Sequence, residues 1–183
     1  MQIERIDVAG LAAATDELVD LIRACVDGGA SLGFLAPMSE TTARTHWEAV
    51  APEISAGTRV VVVGRIDGRV VGSGQLRFET KENGRHRAEV AKVMVHPSHR
   101  RLGLARLLMD DLEHRATEAG IALLYLDTSE GPGGARPLYE SLGWHHAGGV
   151  PGYALDPNGT PADNAIFYKW LSEPASGAVR HDV

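Results

Sequence analysis

The chain contains one cysteine, Cys25, so no intrachain disulfide can form. Its eight histidines show no Cys/His metal spacing, and no metal site is expected. No run approaches the ~20 apolar residues that cross a bilayer, and the start Met1-Gln2-Ile3-Glu4-Arg5 lacks the apolar centre of a secretory leader. No membrane association and a cytoplasmic location are therefore expected. Basic residues are the minority, 18 Lys and Arg against 24 Asp and Glu, for a formal net charge of −6. That balance excludes a general nucleic-acid binder, which needs a basic surface. There is no internal repeat and no low-complexity block.

What is present is one domain's worth of chain. The sequence has 183 residues, 44% of them hydrophobic, enough for a real core. A single domain is expected over 1–171, with a frayed tail over 172–183. Ile3–Val8 reads as a strand, and Leu11, Leu18, Leu21, Ile22, Cys25 and Val26 recur at helical spacing up to Gly28-Gly29. Cys25 in that stripe reads as a packed core thiol. Ala30–Met38 reads as a loop anchored by Leu32, Phe34 and Leu35. Ser39 is a plausible N-cap for a second helix carrying Ala43, Trp47 and Val50 and ending before Pro52. Arg59–Arg65, Val70–Phe78 and Ala88–Val95 read as an antiparallel meander with an Asp67-Gly68 turn. A helix over 101–119 and an apolar strand over 121–127 complete a crossover with the third strand. A short helix near Pro137–Leu142 and a strand Ala165–Leu171 follow. The fold class is α/β: a mixed, twisted sheet of six or seven strands with helices on both faces.

The most informative stretch is Val93-Met94-Val95-His96-Pro97-Ser98-His99-Arg100-Arg101-Leu102-Gly103-Leu104-Ala105-Arg106. A β-branched strand runs into a basic, glycine-bearing turn and then a helix. The free N–H groups of a helix's first turn, with the helix dipole behind them, attract an anion. Gly103 and Ala105 keep side chains out of the way of a close ligand. A diphosphate suits this turn. No Gly-Lys-Ser/Thr follows, and Gly-x-Gly-x-x-Gly is absent, so it is neither a P-loop nor a dinucleotide turn. His96 and His99 beside it read as exposed loop residues.

These residues resemble the GNAT superfamily of acetyl-CoA-dependent N-acetyltransferases. The family's Arg/Gln-x-x-Gly-x-Gly/Ala pattern is met at Arg100, Gly103 and Ala105. Val93-Met94-Val95-His96-Pro97 is similar to its cofactor-binding strand, and Leu138-Tyr139-Glu140-Ser141-Leu142-Gly143-Trp144 to its second block. The resemblance covers roughly Arg59–Leu171. Ala88-Glu89-Val90, Leu126-Asp127-Thr128 and Pro151-Gly152-Tyr153 look more narrowly like the tabtoxin-resistance acetyltransferases, which modify a small β-lactam-containing amino compound. The resemblance implies acetyl-CoA as cofactor. It implies main-chain contacts from Val93, Met94 and Val95, with the Val95 N–H as oxyanion donor. It further implies cofactor contacts from Arg100, Arg101, Leu102, Gly103, Leu104, Ala105, Arg106, Thr128 and Tyr139.

Chemistry sets further demands. A lysine-like amine has a pKa of about 10.4, so only about one in ~2,500 is neutral at pH 7, a penalty of roughly 4.6 kcal/mol. A base, an acid for the leaving sulfur and an oxyanion donor lower that barrier. Tyr139 is the candidate acid. Glu89 and Asp127, on adjoining strands, are both candidates for the base or for an ammonium anchor, and the sequence leaves the choice open. Phe34, Trp47, Glu89, Asp127 and Tyr153 are candidate substrate contacts. The expected reaction is direct transfer of acetyl to a primary amine of a small molecule in a ternary complex, amino-acid-like or β-lactam compounds being one possible class and toxin or antibiotic resistance one possible role. Two rivals stand beside it: acetylation of protein amines, and a non-catalytic acyl-CoA-binding sensor. Either a monomer or a homodimer is compatible with the sequence.

Overall fold

The structure is a computed structural model that describes residues 1–130 and 134–172. The expected tail lies outside the described residues from 173 onward, as do 131–133 of the glycine-rich loop. The elements run β1 (Gln2–Ile6), α1 (Val8–Ala13), α2 (Thr15–Asp27), α3 (Glu40–Ser55), β2 (Arg59–Ile66), β3 (Arg69–Phe78), β4 (Arg87–Val95), α4 (Leu104–Glu118), β5 (Leu123–Ser129), α5 (Arg136–Ser141), β6 (His145–Gly148), β7 (Ala154–Leu155), β8 (Pro161–Ala162) and β9 (Asn164–Trp170). One sheet has seven strands in the order β1-β2-β3-β4-β5-β9-β6, and β7-β8 is a small separate hairpin. All neighbours are antiparallel except β4 and β5.

The valine run of β2 explains the layers. Val60 and Val62 join a core made with Leu104, Leu108, Met109 and Leu112 of α4. Val61 and Val63 point the other way, into a core built from α1, α2 and α3, with Leu18, Ile22, Trp47 and Val50. Strand side chains alternate between faces, so four consecutive valines serve two cores. Each fully buried Val or Leu contributes roughly 1.5–3 kcal/mol. The helix α4 lies close on the sheet because Gly72 offers no side chain: a Cβ there would stand 2.9 Å from Leu104 Cδ2.

Several boundaries differ from the sequence reading. The first strand stops at Ile6 because the Asp7 carboxylate accepts from the Gly10 N–H at 2.8 Å and starts α1. Two helices, meeting at Ala14, replace the single first helix. The third helix continues through Pro52 to Ser55. Pro52 is exposed, so water can reach the carbonyl left without an N–H, and Ile54 extends the buried stripe of Ala43, Trp47 and Val50. Ile121 is not in a strand, since its N–H bonds back to Ala116 O at 2.9 Å and closes the end of α4. Leu35 is 53% exposed and anchors nothing, whereas Leu32 and Phe34 do pack on the core.

Candidate active site

The β4–β5 pair is where the sheet opens. Parallel pairing covers only Arg87–Glu89 against Leu123–Tyr125, after which the strands separate. The cause lies on β4. Between Gln75↔Ala91 and Ser73↔Met94 the register with β3 slips by one residue, and Lys92 has φ 51°. This bulge bends β4 away from β5. The His96 N–H donates to Val71 O at 2.8 Å, so by ladder alternation the Val93 and Val95 main-chain groups face away from β3, toward the opening. Cys25, buried as expected, donates its thiol to Val95 O at 3.4 Å. Burial pushes that thiol up to about 11 despite the nearby Arg100 guanidinium.

Beyond β4, Pro97–His99 form one 3-10 turn, and Arg101 and Gly103 adopt left-handed backbone at φ 63° and 80°. The expected helix start at 101 is therefore displaced to Leu104. Gly103 is the N-cap of α4 and no side chain caps that end, which leaves the first-turn N–H groups of Leu104, Ala105 and Arg106 turned outward. A Cβ at Gly103 would meet nothing within 4 Å, so the residue is glycine for its φ and for open space above it. This end opens into a cavity of about 520 Å³ whose walls include Val93, Met94, Val95, Arg100, Arg101, Gly103, Leu104, Ala105, Arg106 and Tyr139. The uncapped helix end, the three arginines and the largely apolar remainder match a diphosphate joined to a long neutral arm. Cys25, Ala30, His99, Ala135 and Leu138, which the sequence did not single out for binding, complete the wall. His99 is thus a wall residue as well as a loop residue. Leu102 is 57% exposed and Thr128 pairs with Ala165 of β9; neither is among the lining residues. Arg106 also reaches across to α5, where its Nη2 donates to Ser141 Oγ at 2.8 Å.

Tyr139 sits on α5 with 7% of its surface exposed, tilted against Trp144 and Phe167. Among the described residues its hydroxyl has no hydrogen-bond partner. Burial, and secondly the charge of Asp127, push the phenol up to about 12. Asp127 is exposed near the end of β5, with no ion pair among the described residues. Glu89 differs: its Oε2 accepts from Arg77 Nη1 at 2.9 Å. The two carboxylates share the sheet face opposite the buried Leu124 and Leu126, and both act electrostatically on Lys92.

On that face the expected aromatic wall is only partly present. Trp47 is 1% exposed and belongs to the core, and Tyr153 is 56% exposed on the hairpin side, while Phe34 stacks edge-on to His46 at 5.4 Å. A polar group unforeseen from sequence stands here instead. Lys92 Nζ donates to Leu32 O at 2.7 Å and lies 5.6 Å from the Phe34 ring centre. His46 is pushed down to about 4 by burial and by the Lys92 and Arg59 charges. The signal was a phase slip: Ala88 and Val90 are buried in step, and Lys92 falls on the same step, which a continuous strand forbids. Two loops flank this face. Ala36 N, after α2, donates to Pro157 O in the β7–β8 hairpin at 2.8 Å.

Among the described residues no helix is long and apolar enough to cross a membrane, and no cluster could hold a metal. The sequence matches the Acetyltransferase (GNAT) family over residues 30–144. It is 34% identical over 135 residues to an N-acetyltransferase encoded in the hisH-hisA intergenic region of Azospirillum brasilense, covering 70% of this chain and 75% of that one. It is 30% identical over 87 residues to the [ribosomal protein bS18]-alanine N-acetyltransferase of Escherichia coli K12, covering 42% and 59%. The acetyltransferase yncA of Salmonella typhimurium, solved with acetyl-CoA, superposes with a TM-score of 0.75 at 22% identity over 98% of this chain and 99% of that one. The split sheet, the uncapped turn at Gly103 and this match together place the chain in the GNAT family of acetyltransferases, with acetyl-CoA as its cofactor.

Proposed function

We propose that the acceptor is a primary amine of a small molecule and that transfer is direct, in a ternary complex. The hydrogen bond from Ala36 to Pro157 carries the small-molecule part of this reading. β9 begins at Asn164 opposite Ser129, so the hairpin leaves the sheet at the end where β4 and β5 part. The loop after α2 approaches the same end through Lys92 and Leu32. Joined, the two segments narrow the space a peptide would need.

Bound acetyl-CoA supplies an activated thioester carbonyl. The chain's groups hold and polarise it. Leu104, Ala105 and Arg106 N–H groups and the Arg100 and Arg101 side chains hold the diphosphate. The Val95 N–H is the oxyanion donor, in the water-poor opening where such a donor is worth most. Tyr139 keeps its proton at physiological pH. Handing it fully to a thiol with an ordinary pKa of about 8.5 is uphill by roughly 5 kcal/mol, so the phenol acts mainly as a fixed hydrogen-bond donor toward the sulfur end. Asp127, without an ion pair among the described residues, anchors the acceptor ammonium and takes its proton directly or through a water. Glu89, held by Arg77, shapes the field beside it.

The E. coli relative is named for a ribosomal-protein substrate, and that name favours the second reading, acetylation of a protein amine. Release of free thiol from acetyl-CoA with a panel of small amines, run beside peptides with free N-termini or lysines, separates the two. Turnover of small amines supports the proposal, and turnover of peptides alone rejects it. Tight acetyl-CoA binding without turnover of any acceptor would favour the sensor reading.

A further inference from the structure

The acceptor face has more hydrogen-bond donors than the protein can fill. Arg59 is used up on Glu53 and Gln75 Oε1, and Arg77 on Glu89. Lys92 spends one of its three N–H donors on Leu32 O and, among the described residues, pairs with no carboxylate. Around it, His46 Nε2, Trp47 Nε1 and Gln75 Nε2 are buried without a partner among the described residues. Trp47 and Gln75 are 1% and 0% exposed. Leaving a buried donor unfilled costs about 1–3 kcal/mol, and more for a charged one. Those gaps lie in the layer beneath the face, whereas Lys92, with two N–H donors left beside the Phe34 ring, points to a missing acceptor atom on the face itself. Asp127, an exposed carboxylate with no ion pair among the described residues, has the opposite deficit.

We infer that Lys92 is a specificity-determining residue whose ammonium receives a carboxylate borne by the acceptor amine, on the face it shares with Asp127. This rests on the amine-transfer reading above and names its substrate class. The acceptor is an amino acid or a close relative. Its ammonium sits at Asp127 and its carboxylate at Lys92, under the His46–Phe34 pair. The bulge at Lys92 serves both halves of the site: it opens the sheet for the cofactor and turns the lysine onto the acceptor face.

Binding and turnover are measured together, so failure of the transfer reading stays separate from failure of this one. The CoA-bound protein is titrated calorimetrically with two product-like probes, 4-acetamidobutyrate and its decarboxylated counterpart N-propylacetamide. The expected result is at least tenfold tighter binding of the carboxylate probe. That preference is lost in Lys92→Met and retained in Lys92→Arg, which keeps the charge and guards against a variant that misfolds. Thiol release with 4-aminobutyrate and with propylamine should show the same ratio in kcat/KM. Equal affinity for the two probes, no binding of either, or a preference that survives Lys92→Met overturns the inference. Turnover of propylamine without preference for 4-aminobutyrate leaves amine transfer intact and overturns only the role of Lys92. Carboxylate-selective binding without turnover supports Lys92 and rejects amine transfer.

Discussion

At Tyr139 two properties pull against each other. Burial against Trp144 and Phe167 keeps the phenol in place, and the same burial, with Asp127 nearby, holds its proton tightly. Its value therefore lies in geometry, and Tyr139→Phe, which removes one fixed hydrogen-bond donor, should lower kcat by about 10²–10³ while acetyl-CoA affinity changes little; single-turnover rates and a cofactor titration check both halves. Asp127 and Glu89 are separable by their partners. Asp127→Asn should displace the acidic limb of the kcat/KM profile, and Glu89→Gln, because Arg77 already holds that carboxylate, should change KM more than the limb. An unmoved limb in both variants would hand proton removal to solvent. His46 carries a pH dependence of stability. Its folded value is depressed to about 4 from an ordinary 6.5, so its contribution is present above 6.5 and is lost as pH falls toward 4. Unfolding free energies from urea titrations at pH 7 and pH 4.5 should differ by about 2 kcal/mol more in the native protein than in His46→Phe, allowing for the ring's partial exposure. Tyr139 was legible because its block of sequence resembles a known one. Lys92 and His46 were not, because their environment is made by a bulge and by a loop crossing from another element.

Among the elements, α4 decides most. Its apolar stripe was plain in the sequence, and Leu104, Leu108 and Leu112 are buried as the period demands. Its first residue was not plain, because Arg101 is in a left-handed conformation that arginine rarely takes and no pattern announces. Gly103 is in the same region, and Gly103→Ala should cost about 1 kcal/mol of stability through backbone strain alone, since its Cβ would find open space. The same substitution should weaken acetyl-CoA binding by roughly tenfold, the equivalent of ~1.4 kcal/mol, by tilting the first-turn N–H groups. A thermal melt and a cofactor titration on one preparation check both, and unchanged binding would remove this turn from the site. The short α5 was legible as an element, expected near Pro137–Leu142 and found at Arg136–Ser141, but where it packs was not. It is held by Tyr139 packed on Trp144 and Phe167, and Arg106 bonds its Ser141 from 35 positions away. The polar hairpin after β6 was readable only as a turn, and nothing in its residues disclosed that Pro157 meets Ala36.

For the molecule as a whole, a single sheet carries two cores, and the proposed site lies where that sheet fails to stay paired. The sequence displayed the helical stripe of α2 and the valine-rich strand β2 as elements, but not that they belong to two cores. It also displayed the turn proposed to hold the cofactor. It could not display the width of the opening, which arises from one extra residue in β4 relative to β3 and from pairing with β5 that ends at Glu89. The acceptor side, built from α3, two loops and a hairpin distant in sequence, was legible only as separate aromatic and acidic candidates. The central claim is that this opening and the turn at Gly103 together hold acetyl-CoA, and amide NMR of the uniformly labelled protein during a CoA titration tests it most directly. The predicted result is a set of saturable shifts concentrated at Val93–Val95 and Arg101–Arg106, with the Gly103 amide among the largest. Shifts confined to other surfaces, or none at saturating cofactor, would contradict it.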